Sequence, residues 1–207
     1  LSKSLKDPLV GICSEIHSCV ATPIQEAAIS AFDWNKDLED HINSQRAILK
    51  KLGKWCHNKL NSPAIRVNEP DGGFYLFLDF MPIANELALK HNITNSKQLC
   101  DFIRENLGVT LLPGDQFGLE PEHLSARLAY VDFDGDNAIN HLEKDYIDES
   151  FLNTHCKNVI DGVNKISHWA NQFTAISEKA TTNKSQQMYS TSIKKSIGAS
   201  HSACAIQ

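Results

Sequence analysis

The segment SARLAYVDFDGD, residues 125–136, sets one arginine in an apolar run and follows it with three aspartates. Two chemistries are open to it. A guanidinium is a planar fork that grips a carboxylate through two parallel hydrogen bonds. In a partly dry cleft the charge on Arg127 is costly unless an anion meets it, and a small acid substrate would be such an anion. The plainer alternative is a strand arginine that reaches solvent or pairs with an aspartate. The aspartates raise a second chemistry, calcium. Asp132, Asp134 and Asp136, with Ile139, Asn140 and Glu143, fall where a calcium loop of the EF-hand type wants them. Two facts oppose it. The turn position that should be glycine is Asn137, and the preceding RLAYVDF is β-like rather than helical. No second loop of this kind appears. The residues read instead as a strand end, a turn at Gly135 and a helix start where aspartate suits the dipole.

Other metal chemistry finds no pattern. Six cysteines, at 13, 19, 56, 100, 156 and 204, form no C-x-x-C, so they read as reduced intracellular thiols rather than zinc ligands or a disulfide framework. Nine histidines are scattered, without the spaced pair around a glutamate of a metallopeptidase helix. The formal charge of −5 offers no basic field for a phosphate backbone, so nucleic acid is not an expected partner. No apolar run is long enough to span a membrane. The opening LSKSLKDPLVGICSE shows no signal-peptide pattern, and a chain that opens on Leu1 reads as a processed product or a fragment. These features suggest a cytoplasmic protein.

The elements that must position Arg127 follow from periodicity. In TPIQEAAISAF, Thr22 is the expected cap, Pro23 the first helical residue and Gln25 the far side of a capping box. A longer helix runs through NKDLEDHINSQRAILKKLGKWCHNKL, with Leu38, Ile42, Leu49, Leu52, Cys56 and Leu60 at helical spacing. Asp71-Gly72-Gly73 makes a turn into an aromatic-rich strand, Phe74 to Phe80. A short helix follows Pro82. NSKQLCDFIRENLG is another helix, stopped by Gly108. VTLL and HLSARLAYVDF are strands, and THCKNVIDGVNKISHWANQF is an amphipathic helix with Val159, Val163, Ile166, Ala170 and Phe173 on one side. Beyond about residue 174 the chain turns rich in Ser, Thr and Lys and is expected to be a disordered tail, 175–207. The fold class is α/β, with a small mixed sheet covered by helices on one face.

Four segments together, SCVATPIQEAA, EPDGGFYLFLDF, GVTLLPGDQFG and SARLAYVDFDG, resemble in order and spacing the pyridoxal-phosphate-dependent aminotransferases of class I/II, fold type I, the aspartate-aminotransferase-like group. The resemblance covers roughly residues 8–170 and takes in the DFDG that mimics a calcium loop. It implies the C-terminal part of such an enzyme. Residues 1–35 would end the large cofactor domain, 36–60 would be the interdomain helix, and 61–174 the small domain. It implies that Arg127 holds the substrate α-carboxylate, that the substrates are an amino acid and a 2-oxo acid, that pyridoxal 5'-phosphate is the cofactor, and that the full-length protein is a homodimer. The family's Schiff-base lysine lies in an S-x-x-K motif followed by an arginine. Lys3 follows a serine, but Gly11 stands where that arginine belongs, and Lys3 is too close to TPIQ. The resemblance therefore assigns no catalytic and no cofactor-binding residue to this chain, which is expected to be inactive alone.

The chain ends in CAIQ. Cys204, Ala205, Ile206 and Gln207 fit the prenylation pattern, with terminal glutamine pointing to farnesyl. Lys194 and Lys195 upstream would add a second weak membrane signal. Two further readings stay open: a non-catalytic small α/β binding module that is lipid-anchored, and the aminotransferase-like effector domain of a transcription regulator.

Overall fold

The computed structural model describes residues 2–17, 19–142 and 146–174. They divide into two units, Leu1–Asn43 and a larger one beginning at Ser44. The first holds α1 (Lys3–His17), α2 (Thr22–Ala31) and the start of α3 (Lys36–Leu60). The cap of α2 is Ala21, not Thr22. The Ala21 carbonyl accepts the amides of Ile24 and Gln25 at 2.9 and 3.1 Å, which places Thr22 and Pro23 in the first turn. The proline is tolerated one position further in because that amide has no intrahelical acceptor either. Gln25 does reach back, but its Nε2 donates to the Val20 carbonyl at 2.7 Å. No residue of α2 is buried, and Ile24, Ile29, Phe32 and Trp34 stay exposed.

The second unit is built on a four-stranded sheet. Its strands are β1 (Arg66–Val67), β2 (Tyr75–Asp79), β3 (Leu112–Pro113) and β4 (Ser125–Ala129), in the order β1-β2-β4-β3. Every pairing is antiparallel, so the sheet is not the mixed one that alternating strands and helices suggest. The reason lies in the connections. The chain from β2 passes through two helices and returns down the opposite side of β4, and β3 is a two-residue strip paired only to β4. β1 carries too few residues to show alternation and was missed in the sequence.

Alternation on β2 and β4 sorts the two faces. Leu76, Leu78, Ala126 and Leu128 are buried in one core. Against them lie Leu52, Cys56 and Leu60, one turn apart on α3, and Leu99 and Ile103 of α5 (Ser96–Leu107). Between β2 and α5 come a 3-10 turn, Met81–Ile83, and α4 (Ala84–His91). After β4 come α6 (Gly135–Asn140), α7 (Glu149–His155) and a last helix, α8, over 157–174. The final amphipathic segment is thus two helices broken at Cys156. All five apolar residues assigned to its inner side are buried. Local signals set the ends. Asn95 accepts the Gln98 amide at 2.9 Å to start α5, and Gly108 closes it at φ +69. Tyr130, buried beside β4, donates its hydroxyl to the Gly73 carbonyl at 3.1 Å and so ties the turn before β2 to the end of β4.

Candidate functional site

The register fixes what surrounds Arg127. It pairs with Phe77 on one side and with Leu112 on the other. Antiparallel partners share a face, so Phe77, Leu112 and, diagonally, Tyr75 lie with Arg127 on the face opposite the core. This face is apolar yet open: Tyr75, Phe77 and Leu112 are each about two-fifths exposed. Phe117 arrives from the 3-10 turn Gly114–Phe117 and meets Phe77 edge-on at 6.0 Å. The guanidinium carbon of Arg127 lies 4.2 Å from the Tyr75 ring centroid and 4.6 Å from that of Phe117. Two aromatic rings thus hold the cation by its π faces, a contact worth about 0.5–1 kcal/mol where solvent reaches it.

Aromatic faces do not satisfy N–H donors. Among the described residues no carboxylate pairs with Arg127 and no hydrogen bond reaches its guanidinium. Asp79, on the same face of β2, is committed elsewhere. Its carboxylate approaches Arg66 and His123 at 3.7 Å each and accepts the Met81 amide at 2.9 Å. The aspartates after β4 turn away as well. Asp134 caps α6 by accepting the Asn137 amide at 2.9 Å. The arginine is therefore oriented by two rings, partly buried and, among the described residues, without an acidic partner.

The turn carrying Phe117 is itself forced against β4. A Cβ on Gly114 would stand 2.1 Å from Ser125 Oγ, so only glycine lets the turn approach so closely. A cleft of about 510 Å³ opens elsewhere, between the end of β4 and α8, and contains Asp161 and Lys165. Both are engaged: Asp161 pairs with Lys157, and Lys165 Nζ donates to the Leu107 carbonyl at 3.3 Å. Asp132 also lines this cleft, with no ion pair among the described residues, so the free charge of the cleft is acidic where that of the Arg127 face is basic.

The other residues singled out in the sequence scatter. Asp132, Asp134 and Asp136 surround a helix start, and Glu143 lies outside the described residues. Lys3 is the first residue of α1 and Gly11 lies within that helix. Cys13, Cys19, Cys56, Cys100 and Cys156 are free. Cys204, with the whole CAIQ end, lies outside the described residues. No described helix is long and apolar enough to cross a membrane.

The family model for aminotransferases of class I and II matches residues 5–134, well over half of the chain. The chain belongs to the class I and II aminotransferase family. Among its relatives, the aspartate aminotransferase of Sulfolobus acidocaldarius is 28% identical over 121 residues, covering 58% of this chain and 28% of that protein. The bifunctional aspartate aminotransferase and glutamate/aspartate-prephenate aminotransferase of Petunia hybrida is 38% identical over 55 residues, 26% of this chain and 12% of the relative. An aminotransferase from Mycobacterium tuberculosis has a similar fold, with a TM-score of 0.50 and 16% identity, over 83% of this chain and 36% of that one. The aspartate aminotransferase of Thermotoga maritima aligns with a TM-score of 0.49 at 19% identity, over 82% and 34%. This aminotransferase-family chain thus spans about a quarter to a third of the length of most of these relatives.

Class I and II aminotransferases are generally pyridoxal-phosphate-dependent. The residues gathered about Arg127 do not fit that cofactor as a whole. Tyr75, Phe77, Phe117 and Leu112 include no amine to form an imine and no second cation to hold a phosphate.

Proposed function

We propose that this chain supplies the substrate-carboxylate clamp of a pyridoxal-phosphate-dependent aminotransferase, with Arg127 as the binding residue. The observation that carries the reading is the Arg127 guanidinium, stacked between Tyr75 and Phe117 with no internal acid. Stacking leaves the edge of the fork free, and a carboxylate in the plane of that edge accepts two hydrogen bonds at once. The α-carboxylate is common to the amino acid and the 2-oxo acid, so one clamp serves both directions of an amino-group transfer. The surrounding apolar face excludes part of the water and strengthens the pair. The names of the relatives point to aspartate or glutamate as the amino donor. When bound, the cofactor would supply an electron sink for the amino-group transfer. It would be held mainly by residues outside this chain, which alone does not transaminate.

In this reading residues 1–35 end the large domain, 36–60 form the interdomain helix, 61–174 form the small domain, and the full-length enzyme is a homodimer. The test is the reading frame upstream of Leu1 in the encoding transcript. A frame that continues through an S-x-x-K motif with an arginine after it is the expected result. Its product, purified with cofactor, should transaminate aspartate, and Arg127→Met should lower kcat/KM by about 100-fold or more, the loss of a desolvated charged hydrogen-bonded pair. Translation starting within a few codons of Leu1 overturns the enzyme reading and leaves a carboxylate-binding module. We also propose farnesylation at Cys204, which adds a weak membrane anchor. An unshifted mass of the cell-derived C-terminal peptide, with Cys204 free, removes that part.

A further inference from the structure

The three aspartates that imitate a calcium loop in the sequence part company in space. Asp134 caps α6. Asp132 lines the cleft beside α8. Asp136 lines a second hollow, of about 280 Å³, between α3 and α6. That hollow lies within the second unit, and none of Arg127, Tyr75 and Phe117 lines it. Its deepest residue is Ile48 of α3, which is 2% exposed and belongs to the core. Leu49, Phe133 and Ile139 are partly buried against the same core, and Val131, just past β4, is exposed at the edge. Asp136 is the only charged residue of the lining. It is exposed, and among the described residues no cation pairs with it. Gly135 lines the hollow next to it. A Cβ on Gly135 would meet nothing within 4 Å, and its φ is not positive, so neither crowding nor backbone strain calls for glycine there. The missing side chain leaves open space beside the carboxylate.

We propose that this hollow binds a small apolar primary amine of the arylalkyl class, with its ring against Ile48, Phe133 and Ile139 and its ammonium on Asp136. Charge complementarity selects the occupant. The carboxylate repels an acid, and the apolar walls penalise any strongly polar body. A neutral apolar molecule gains from the walls but leaves the carboxylate without a partner. An ammonium has three donors and no acceptor, which matches an acceptor-only carboxylate through a charge-assisted hydrogen bond. A short alkyl stem joins the two ends, from Asp136 at the surface to Ile48 at the core. The volume is at the low end for a ligand pocket, which limits the body to about one ring and a short chain. Phe133 offers that ring an aromatic neighbour. The inference does not rest on the role of Arg127, and its charge preference is the reverse of that face.

The test is a titration of the full chain with phenethylamine. The methyl ¹H–¹³C signals of Ile48 and Ile139 are followed, with NOEs from the ligand ring to those methyls. The expected result is a saturable shift of both residues, with a Kd of about 1 mM, and ring-to-methyl NOEs. 2-Phenylethanol keeps the ring and loses the charge, and should bind about 5-fold more weakly. 3-Phenylpropionate should shift neither residue. Asp136→Asn should weaken the amine about 5-fold and leave the alcohol unchanged, while Asp136→Glu should keep most of the affinity. Absence of a saturable shift at Ile48 and Ile139 overturns the proposal. Equal binding of amine and alcohol overturns it too, as does an amine affinity indifferent to Asp136→Asn. Shifts confined to Tyr75 and Phe77 would put the amine on the aromatic face and likewise overturn it.

Discussion

Replacing Gly114 by alanine sets a Cβ 2.1 Å from Ser125 Oγ, more than an ångström inside ordinary contact. Ser125 cannot swing away freely: it is buried, and its hydroxyl donates to the His123 carbonyl at 3.1 Å. Overpacking of this kind costs about 1–3 kcal/mol. The unfolded chain loses freedom on going from glycine to alanine, which returns about 0.4–1 kcal/mol, because Gly114 does not need a positive φ. The net expectation is a loss of about 1–2 kcal/mol. Ser125→Ala alone should cost about 1 kcal/mol through its hydrogen bond. In that background the nearest contacts to the new Cβ recede to 3.2 and 3.3 Å, a tight but tolerable fit. Gly114→Ala should then be close to neutral, so the two substitutions should be non-additive by about 1–2 kcal/mol. Urea unfolding followed by circular dichroism measures all four corners of the cycle, with equal slopes expected. Additive effects, or a neutral Gly114→Ala in the unmodified chain, refute the claim that this glycine seats the turn carrying Phe117 against β4.

Three more expectations follow from the packing. Gly53→Ala on α3 places a Cβ 2.6 Å from the Tyr130 hydroxyl, so it should destabilise by about 1–3 kcal/mol despite better helix propensity; an unchanged urea midpoint contradicts this. Phe117→Ala removes one ring from the Arg127 guanidinium and should cost about 1 kcal/mol, while the Arg127 side-chain Nε–H signal loses its heteronuclear NOE; a signal as rigid as before means that Phe117 does not hold it. Burial pushes the Cys56 and Cys100 thiols up to about 12 and Cys156 to about 11, from an ordinary 9.0. The folded chain then keeps protons that the unfolded chain releases. Their contribution is fully present below pH 9 and falls as pH rises from 9 toward 11–12, by at most about 1.4 kcal/mol per pH unit for each thiol. The urea midpoint should drop between pH 8 and 10, and Cys100→Ala should reduce the slope. A flat profile goes against burial as the cause.

The sequence was most readable where one local rule acts alone. Leu52, Cys56 and Leu60, and likewise Val159, Val163 and Ile166, repeat at helical spacing and all reach the core. Gly108 ends α5 where a glycine stop was expected. Legibility failed where two signals compete or where partners are distant. Thr22 looks like a cap, yet Ala21 provides the capping carbonyl because Pro23 tolerates either early position. The antiparallel sheet depends on which way long connections return, which no local pattern encodes. Arg127 could be singled out from its odd place in an apolar run, and the alternation of FYLFLD could have put Tyr75 and Phe77 on its face. Phe117 could not be found, since it comes from a turn ten residues upstream that only Gly114 seats.

The central claim is that Arg127 is a carboxylate receptor, and its own nitrogens report on it. The direct measurement is a titration of the chain with 2-oxoglutarate while the Arg127 Nε–H and Nη signals are followed. The account expects a saturable downfield shift at Arg127, absent in Arg127→Met and strongly weakened in Arg127→Lys, which keeps the charge but lacks the planar fork. A shift equal to that of exposed Arg104, or one preserved in full by lysine, would show a general charge effect and contradict the claim.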